Sequence, residues 1–305
     1  MAKVKVGVVG VGQMGDHHAR IYSNLKEAKF IGVYDPDQAK AEEVSIKYRC
    51  RAFPSLESLF KEVEALSIVC PTSKHYETAS ACLNNHKHLL VEKPLASTSA
   101  EARDLASLAK VKKLILAIGM VERFNPAFKK ASSLLKNETI LGMDFKRYSP
   151  FPSRISDASV VLDMMLHDID LALSLSSTEV TSIKASGKNV RTDRLDEASA
   201  TLYFKDGQIA KIEASRVKDE KKRMAVITTD KAIYEIDLLN RHLYRRGFDA
   251  LTDKLKVDLE AEDQLTAELR DFLLAIDRGR SPKVPGEEGI APIEIVEEVE
   301  RLSCS

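Results

Sequence analysis

The 305-residue chain contains no tryptophan and only four cysteines, Cys50, Cys70, Cys82 and Cys304. None falls in a CxxC pair, which argues against a disulfide framework or a thiolate zinc cluster. Buried thiols in a reducing compartment are expected instead. Net charge is also missing, because 46 basic residues balance 46 acidic ones. Without a basic stripe or an acidic tail, no nucleic-acid partner is expected. No apolar run is long enough to span a bilayer, so no membrane partner is expected. The first strand begins within a few residues of the start, so the reading expects no signal peptide and a cytoplasmic location. Repeats and low-complexity segments are absent. The remaining composition, 44% hydrophobic and 30% charged, is that of a globular chain long enough for two cores.

The positive signal begins at once. An apolar run, Val4 to Val9, leads into Gly10-Val-Gly12-Gln13-Met14-Gly15, and Asp35 follows Gly15 by 20 positions. Each part suits a dinucleotide. Gly10 permits a tight turn, Gly12 lets a pyrophosphate approach the backbone, and Gly15 lets the next helix lie against the strand. The helix from Gln13 turns its unpaired N–H groups toward the phosphates. Asp35, at the end of a second strand, can accept both adenosine ribose hydroxyls. Its charge repels a 2′-phosphate, so NAD is expected in preference to NADP, with Lys40 leaving some room for the latter. The alternative, a glycine-rich structural turn, does not account for the strand, helix and acid falling in register.

Through about residue 120, strands that are apolar throughout alternate with helices. This predicts an α/β Rossmann domain, a doubly wound parallel sheet covered on both faces. Beyond it, runs of strand character joined by short turns, with Asp206-Gly207 as a hairpin signal, predict an α+β domain with an open antiparallel sheet. The reading divides the chain into a NAD-binding domain, 1–122, and a second domain, 123–305, closed by amphipathic helices over 263–278 and 290–302.

Two further motifs carry chemistry. Glu92-Lys93-Pro94 ends the fourth long strand, on the sheet edge where α/β folds bind ligands. Lys93 is either a solvated loop lysine or a proton-transfer group beside the nicotinamide. Asp163, His167 and Asp170 recur at helical spacing on one face of an otherwise apolar helix. That helix is read as pocket-lining or as a satisfied core. No further His or Cys stands at ligand spacing, so no metal is expected.

Taken together, the Gly10–Gly15 loop, Pro71-Thr72-Ser-Lys-His75, Glu92-Lys93-Pro94 and the Asp163…His167 helix resemble the Gfo/Idh/MocA oxidoreductase family over nearly the whole chain. The resemblance implies hydride transfer between nicotinamide and a carbon bearing a sugar or cyclitol hydroxyl. It implies that Lys93 is the catalytic lysine, and that Asp163 and His167 contact the reacting hydroxyl. Pro71, Thr72, His75 and Glu92 would lie along the cofactor, and the C-terminal sheet would form a homo-oligomer. The family usually has glycine near Met165, so the methionine is expected to narrow the pocket. The stretches around Arg123-Phe-Asn125 and Arg154 resemble the branch containing UDP-N-acetylglucosamine 3-dehydrogenases, which makes those three residues candidates for substrate binding. Two alternatives stay open: an inositol or free-sugar dehydrogenase or reductase, and a non-catalytic NAD-binding regulatory module.

Overall fold

The computed structural model describes residues 3–151, 158–248, 252–255 and 262–303. The chain folds as two compact units, Met1–Met120 with Leu265–Ala291, and Val121–Gln264 with Pro292–Ser305.

The first unit is built on six parallel strands, β1 (Val4–Val9), β2 (Ala28–Tyr34), β3 (Arg51–Ala52), β4 (Ala65–Ile68), β5 (His88–Glu92) and β6 (Leu116–Gly119). Their order is β3-β2-β1-β4-β5-β6. This is the doubly wound arrangement, with its reversal between β1 and β4. Between the strands run α1 (Gln13–Asn24), α2 (Gln38–Tyr48), α3 (Leu56–Phe60), α4 (His75–Asn84) and α5 (Ser99–Lys112). Helix starts are set by side chains that satisfy the open N–H groups. The Asp37 carboxylate caps α2, and Thr98 with Glu101 forms a reciprocal capping box on α5. All four residues of β4 and the central three of β5 are buried, because helices cover both faces.

The second unit opens with a 3₁₀ turn, Val121–Phe124, and α6 (Pro126–Leu135), which Asn125 caps and Pro126 starts with its preset φ. It continues through β7 (Ile140–Tyr148), a π-helical turn at Val161–Met165, and α7 (Leu166–Leu175). Then follow β8 (Val180–Lys188), β9 (Glu197–Phe204), β10 (Ile209–Ser215), β11 (Lys222–Thr229), β12 (Ala232–Asp237), β13 (His242–Gly247) and β14 (Thr252–Leu255). The eight strands order as β14-β13-β12-β11-β7-β10-β9-β8. Strands β7 and β9 to β12 alternate buried and more open positions, as expected of a sheet with one packed face. The chain ends with α8 (Gln264–Arg278) and α9 (Ile290–Ser303).

Three features differ from the sequence reading. The second sheet is mixed, because β7 and β10 pair in parallel. The long intervening path through α7, β8 and β9 lets the chain return in the same direction. The second unit does not keep the whole stretch 123–305, since Leu265–Ala291 belongs to the first. There Leu269, Phe272 and Leu273 of α8 join the core formed by Val4, Val6, Tyr22 and Val33. Finally, the helix carrying Asp163 starts as a π turn rather than as α-helix. Among the described residues, no helix is long and apolar enough to cross a membrane.

Candidate active site

In the first unit, the candidate residues gather where β1, β2, β4 and β5 end on the same sheet edge. The three loop glycines differ in what the fold demands of them. Gly10 has φ +90°, and a Cβ there would lie 2.7 Å from the Cys70 nitrogen. A Cβ on Gly15 would lie 2.0 Å from the Gly10 carbonyl oxygen. Both are therefore demanded by the fold itself. A Cβ on Gly12 would meet nothing within 4 Å, so protein packing gives no reason for glycine at that position. The start of α1 is open to a phosphate there, and Gln13 and Met14 stand exposed beside it. This open cradle fits the pyrophosphate of NAD.

Asp35 is fixed for its part. Its Oδ2 accepts the Val11 N–H at 2.8 Å and its Oδ1 accepts the Asp37 N–H at 2.9 Å. One carboxylate thus braces the glycine loop and the turn after β2. Lys40 forms an ion pair with Asp37 at 3.0 Å, which leaves Asp35 as the dominant charge in the sense that favours NAD.

Lys93 is half-buried directly after β5, and its peptide bond to Pro94 is cis. Its neighbour Glu92 accepts from His18 Nε2 at 3.1 Å and from the Lys93 N–H at 3.2 Å. Burial pushes the Glu92 carboxyl up, but the His18 hydrogen bond and the charges of His18 and Lys93 outweigh it. The result is a carboxyl below its ordinary range. Pro71 is exposed and Thr72 begins a 3₁₀ turn before α4. His75, expected along the cofactor, is only 1% exposed. Its Nδ1 lies 2.7 Å from the Pro94 carbonyl and its Nε2 2.9 Å from the Cys70 carbonyl, so the ring is held between the two loops. Burial lowers its pKa, and the two carbonyls only partly offset that.

In the second unit, Asp163 and His167 are both half-buried, whereas Asp170 is 1% exposed. Asp170 is held by Arg123 through two hydrogen bonds, Nε to Oδ2 and Nη2 to Oδ1, each of 2.7 Å. Arg123 is thereby brought to the helix of Asp163 and His167, but its guanidinium is committed to a carboxylate. Asn125 is fully buried, with its side-chain nitrogen donating to Glu122 and to the Leu238 carbonyl while its oxygen caps α6. Met165 is also fully buried, so it fills the core. Arg154 lies outside the described residues.

The polar centre of this unit lies outside the motifs that stand out in the sequence. Arg147 donates to both oxygens of Asp168 at 2.8 and 2.9 Å and to Glu122 at 3.0 Å. Burial works against its charge, but the two carboxylates prevail and hold it protonated. A signal was available, because Arg147 occupies the same inward register on β7 as Met143 and Phe145. His18 also lies outside those motifs. Among the described residues, no group of His, Cys, Asp or Glu side chains is arranged to hold a metal ion.

Residues 4–120 match the model of the oxidoreductase family with a NAD-binding Rossmann fold, and residues 142–239 match the GFO/IDH/MocA C-terminal domain. The chain is 36% identical to UDP-N-acetylglucosamine 3-dehydrogenase of Acidithiobacillus ferrooxidans over 302 residues, covering 95% of this chain and 94% of that one. It is 26% identical to scyllo-inositol 2-dehydrogenase (NAD(+)) of Bacillus subtilis, covering 96% and 92%. A solved structure of the Acidithiobacillus enzyme superposes with a TM-score of 0.94, covering 99% of this chain and 98% of that one at 33% identity. The chain belongs to the Gfo/Idh/MocA oxidoreductase family and is an NAD-binding dehydrogenase.

Proposed function

We propose that this enzyme oxidises a sugar hydroxyl, at C3 of a UDP-linked N-acetylhexosamine, with NAD as acceptor. One observation carries the choice of substrate. End-to-end identity is 36% to a protein named for that reaction, against 26% to one named for an inositol. When bound, the nicotinamide supplies the acceptor for the hydride leaving the sugar carbon. The chain's part is to hold the cofactor and move the hydroxyl proton. Gly10, Gly12, Gly15 and Asp35 hold the dinucleotide, with Gln13, Met14, Pro71 and Thr72 at its margins. The Lys93 amine takes the hydroxyl proton as the C–H bond breaks, so that one hydride and one proton leave the substrate together.

Asp163 and His167 serve as the substrate-binding pair in this reading, and His167 also serves as a proton relay. Arg123 and Asn125 act from behind them, fixing Asp170 and Glu122 respectively. Arg154 is the candidate partner of the diphosphate. The open sheet face of the second unit, with Lys184, Ser199 and Lys211 exposed along it, is the surface assigned to a homo-oligomer. A cytoplasmic setting suits the free thiols of Cys50, Cys70 and Cys82.

The test is reduction of NAD followed at the nicotinamide absorbance band with UDP-N-acetylglucosamine, inositols and free sugars. Turnover of an inositol with none of the UDP-sugar would replace this reading by the cyclitol one. NAD binding without turnover of any sugar would favour a regulatory module. Lys93→Ala is expected to lower kcat by about 100-fold or more with NAD affinity nearly intact. Unchanged turnover would remove Lys93 from the chemistry.

A further inference from the structure

We infer that His18 and His75 form a two-sided clamp that positions Lys93, one histidine on each of its chain neighbours. The inference rests on the reading of Lys93 as the proton-transfer residue. His18, within α1, is 0% exposed and directs Nε2 to the Glu92 carboxylate at 3.1 Å. His75 opens α4 and directs Nδ1 to the Pro94 carbonyl at 2.7 Å. Glu92 and Pro94 are the residues immediately before and after Lys93. Two helices that are distant in sequence thus each aim one imidazole at the same tripeptide.

The rest of the packing restricts that tripeptide further. The Glu92 carboxylate also accepts the Lys93 N–H at 3.2 Å. Gly119, on the neighbouring strand β6, lies close against it, since a Cβ there would stand 3.1 Å from the carboxyl carbon of Glu92 and push it by a few tenths of an ångström. The second nitrogen of His75 lies 2.9 Å from the Cys70 carbonyl. The ring therefore stands between the Lys93 loop and the end of β4, the strand beside the glycine loop. An imidazole has two side-chain torsions, so it fixes the direction of its bond more tightly than a longer chain would. Filling the core alone would not require either ring to point a polar atom at the flanks of one lysine. Placement of this kind matters because an error of about 1 Å in a reacting group costs on the order of 100-fold in rate.

The test exploits which ring nitrogen is used. The amide nitrogen of glutamine stands near the position of Nε2, and that of asparagine near Nδ1. His18→Gln and His75→Asn therefore keep the clamp, while His18→Asn and His75→Gln misplace it with similar polarity. Three quantities are read for each variant: NAD affinity by calorimetry, kcat, and the acetylation rate of Lys93 relative to the exposed Lys130 by peptide mass spectrometry.

The clamp predicts that all four variants bind NAD within about threefold of wild type. The misplacing pair should lose about 10- to 100-fold in kcat and change relative Lys93 acetylation at least threefold. The conserving pair should stay within about threefold on both. Equal losses in both pairs, or no change in either, would overturn the clamp. Acetylation needs no substrate, so the clamp is decided even if no sugar is turned over. A wild type inactive on every sugar counts against the dehydrogenase reading alone.

Discussion

Replacing Gly12 by alanine separates what a bound dinucleotide asks of the glycine loop from what the fold asks. Gly12 sits at φ −64° and ψ −166°, which alanine adopts without strain, and it is the N-cap of α1. Alanine is a poorer N-cap than glycine, with a cost of up to about 1 kcal/mol. Restricting the unfolded chain returns about 0.4–1 kcal/mol. The two nearly cancel, and no protein atom lies within 4 Å of the new Cβ. Stability is therefore expected to change by less than about 0.5 kcal/mol. Binding should respond differently, because the methyl group occupies the approach to the helix N-terminus. Losing one charge-assisted hydrogen bond to a phosphate costs about 1.5–3 kcal/mol, or roughly 10- to 150-fold in Kd. Gly15→Ala is the opposite case. Its Cβ would lie 2.0 Å from the Gly10 carbonyl oxygen, so the helix must move and stability falls by about 1–3 kcal/mol or more. Urea unfolding and calorimetric titration with NAD measure the two effects separately. An alanine at 12 that binds NAD within threefold of wild type would refute the assignment. So would a variant at 12 less stable than the one at 15.

Two further outcomes concern the second unit. Arg147→Ala leaves the buried carboxylates of Asp168 and Glu122 without the guanidinium that donates to both, and a loss of about 3–5 kcal/mol is expected in urea unfolding. A loss below about 1 kcal/mol would contradict that account, and lysine at 147 should restore only part because the paired geometry goes with the guanidinium. Asp196 tests pH dependence: burial pushes its carboxyl up, but the N–H groups of Val190, Arg191 and Thr192 and the Arg216 guanidinium outweigh it and hold it well below 3.8. Since the folded state prefers the ionised form, this stabilisation is complete above the unfolded pKa of about 3.9 and drains as pH falls through it. Asp196→Asn should therefore cost about 2–3 kcal/mol at pH 7, and the gap from wild type should narrow below about pH 4. A gap that stays constant down to pH 3 would rule this out.

The parts of the molecule legible in the sequence are those whose physics is local. The loop from Gly10 to Gly15 declares itself because turn, close approach and helix start are demanded within a few residues. Asp35 and Lys93 declare themselves because strands that are apolar throughout place their ends on one edge. What stayed hidden depends on partners far away in sequence. Helix α8 is plainly amphipathic, but nothing in its own residues says that Leu269 and Phe272 pack with Val4 and Tyr22 rather than within the second unit. Arg123 stands in the sequence as a substrate-binding candidate, and Asp170, 47 residues later, is needed to see that its charge is met. The surroundings of His75 are hidden for the same reason, since the Pro94 carbonyl that its ring meets comes 19 residues on. A charged or imidazole side chain in a single sequence therefore marks a polar obligation without naming who meets it. Where the obligation falls inside the core, as for His18, His75 and Arg147, or at its edge, as for Arg123, its partner decides whether the residue touches ligand or holds the one that does.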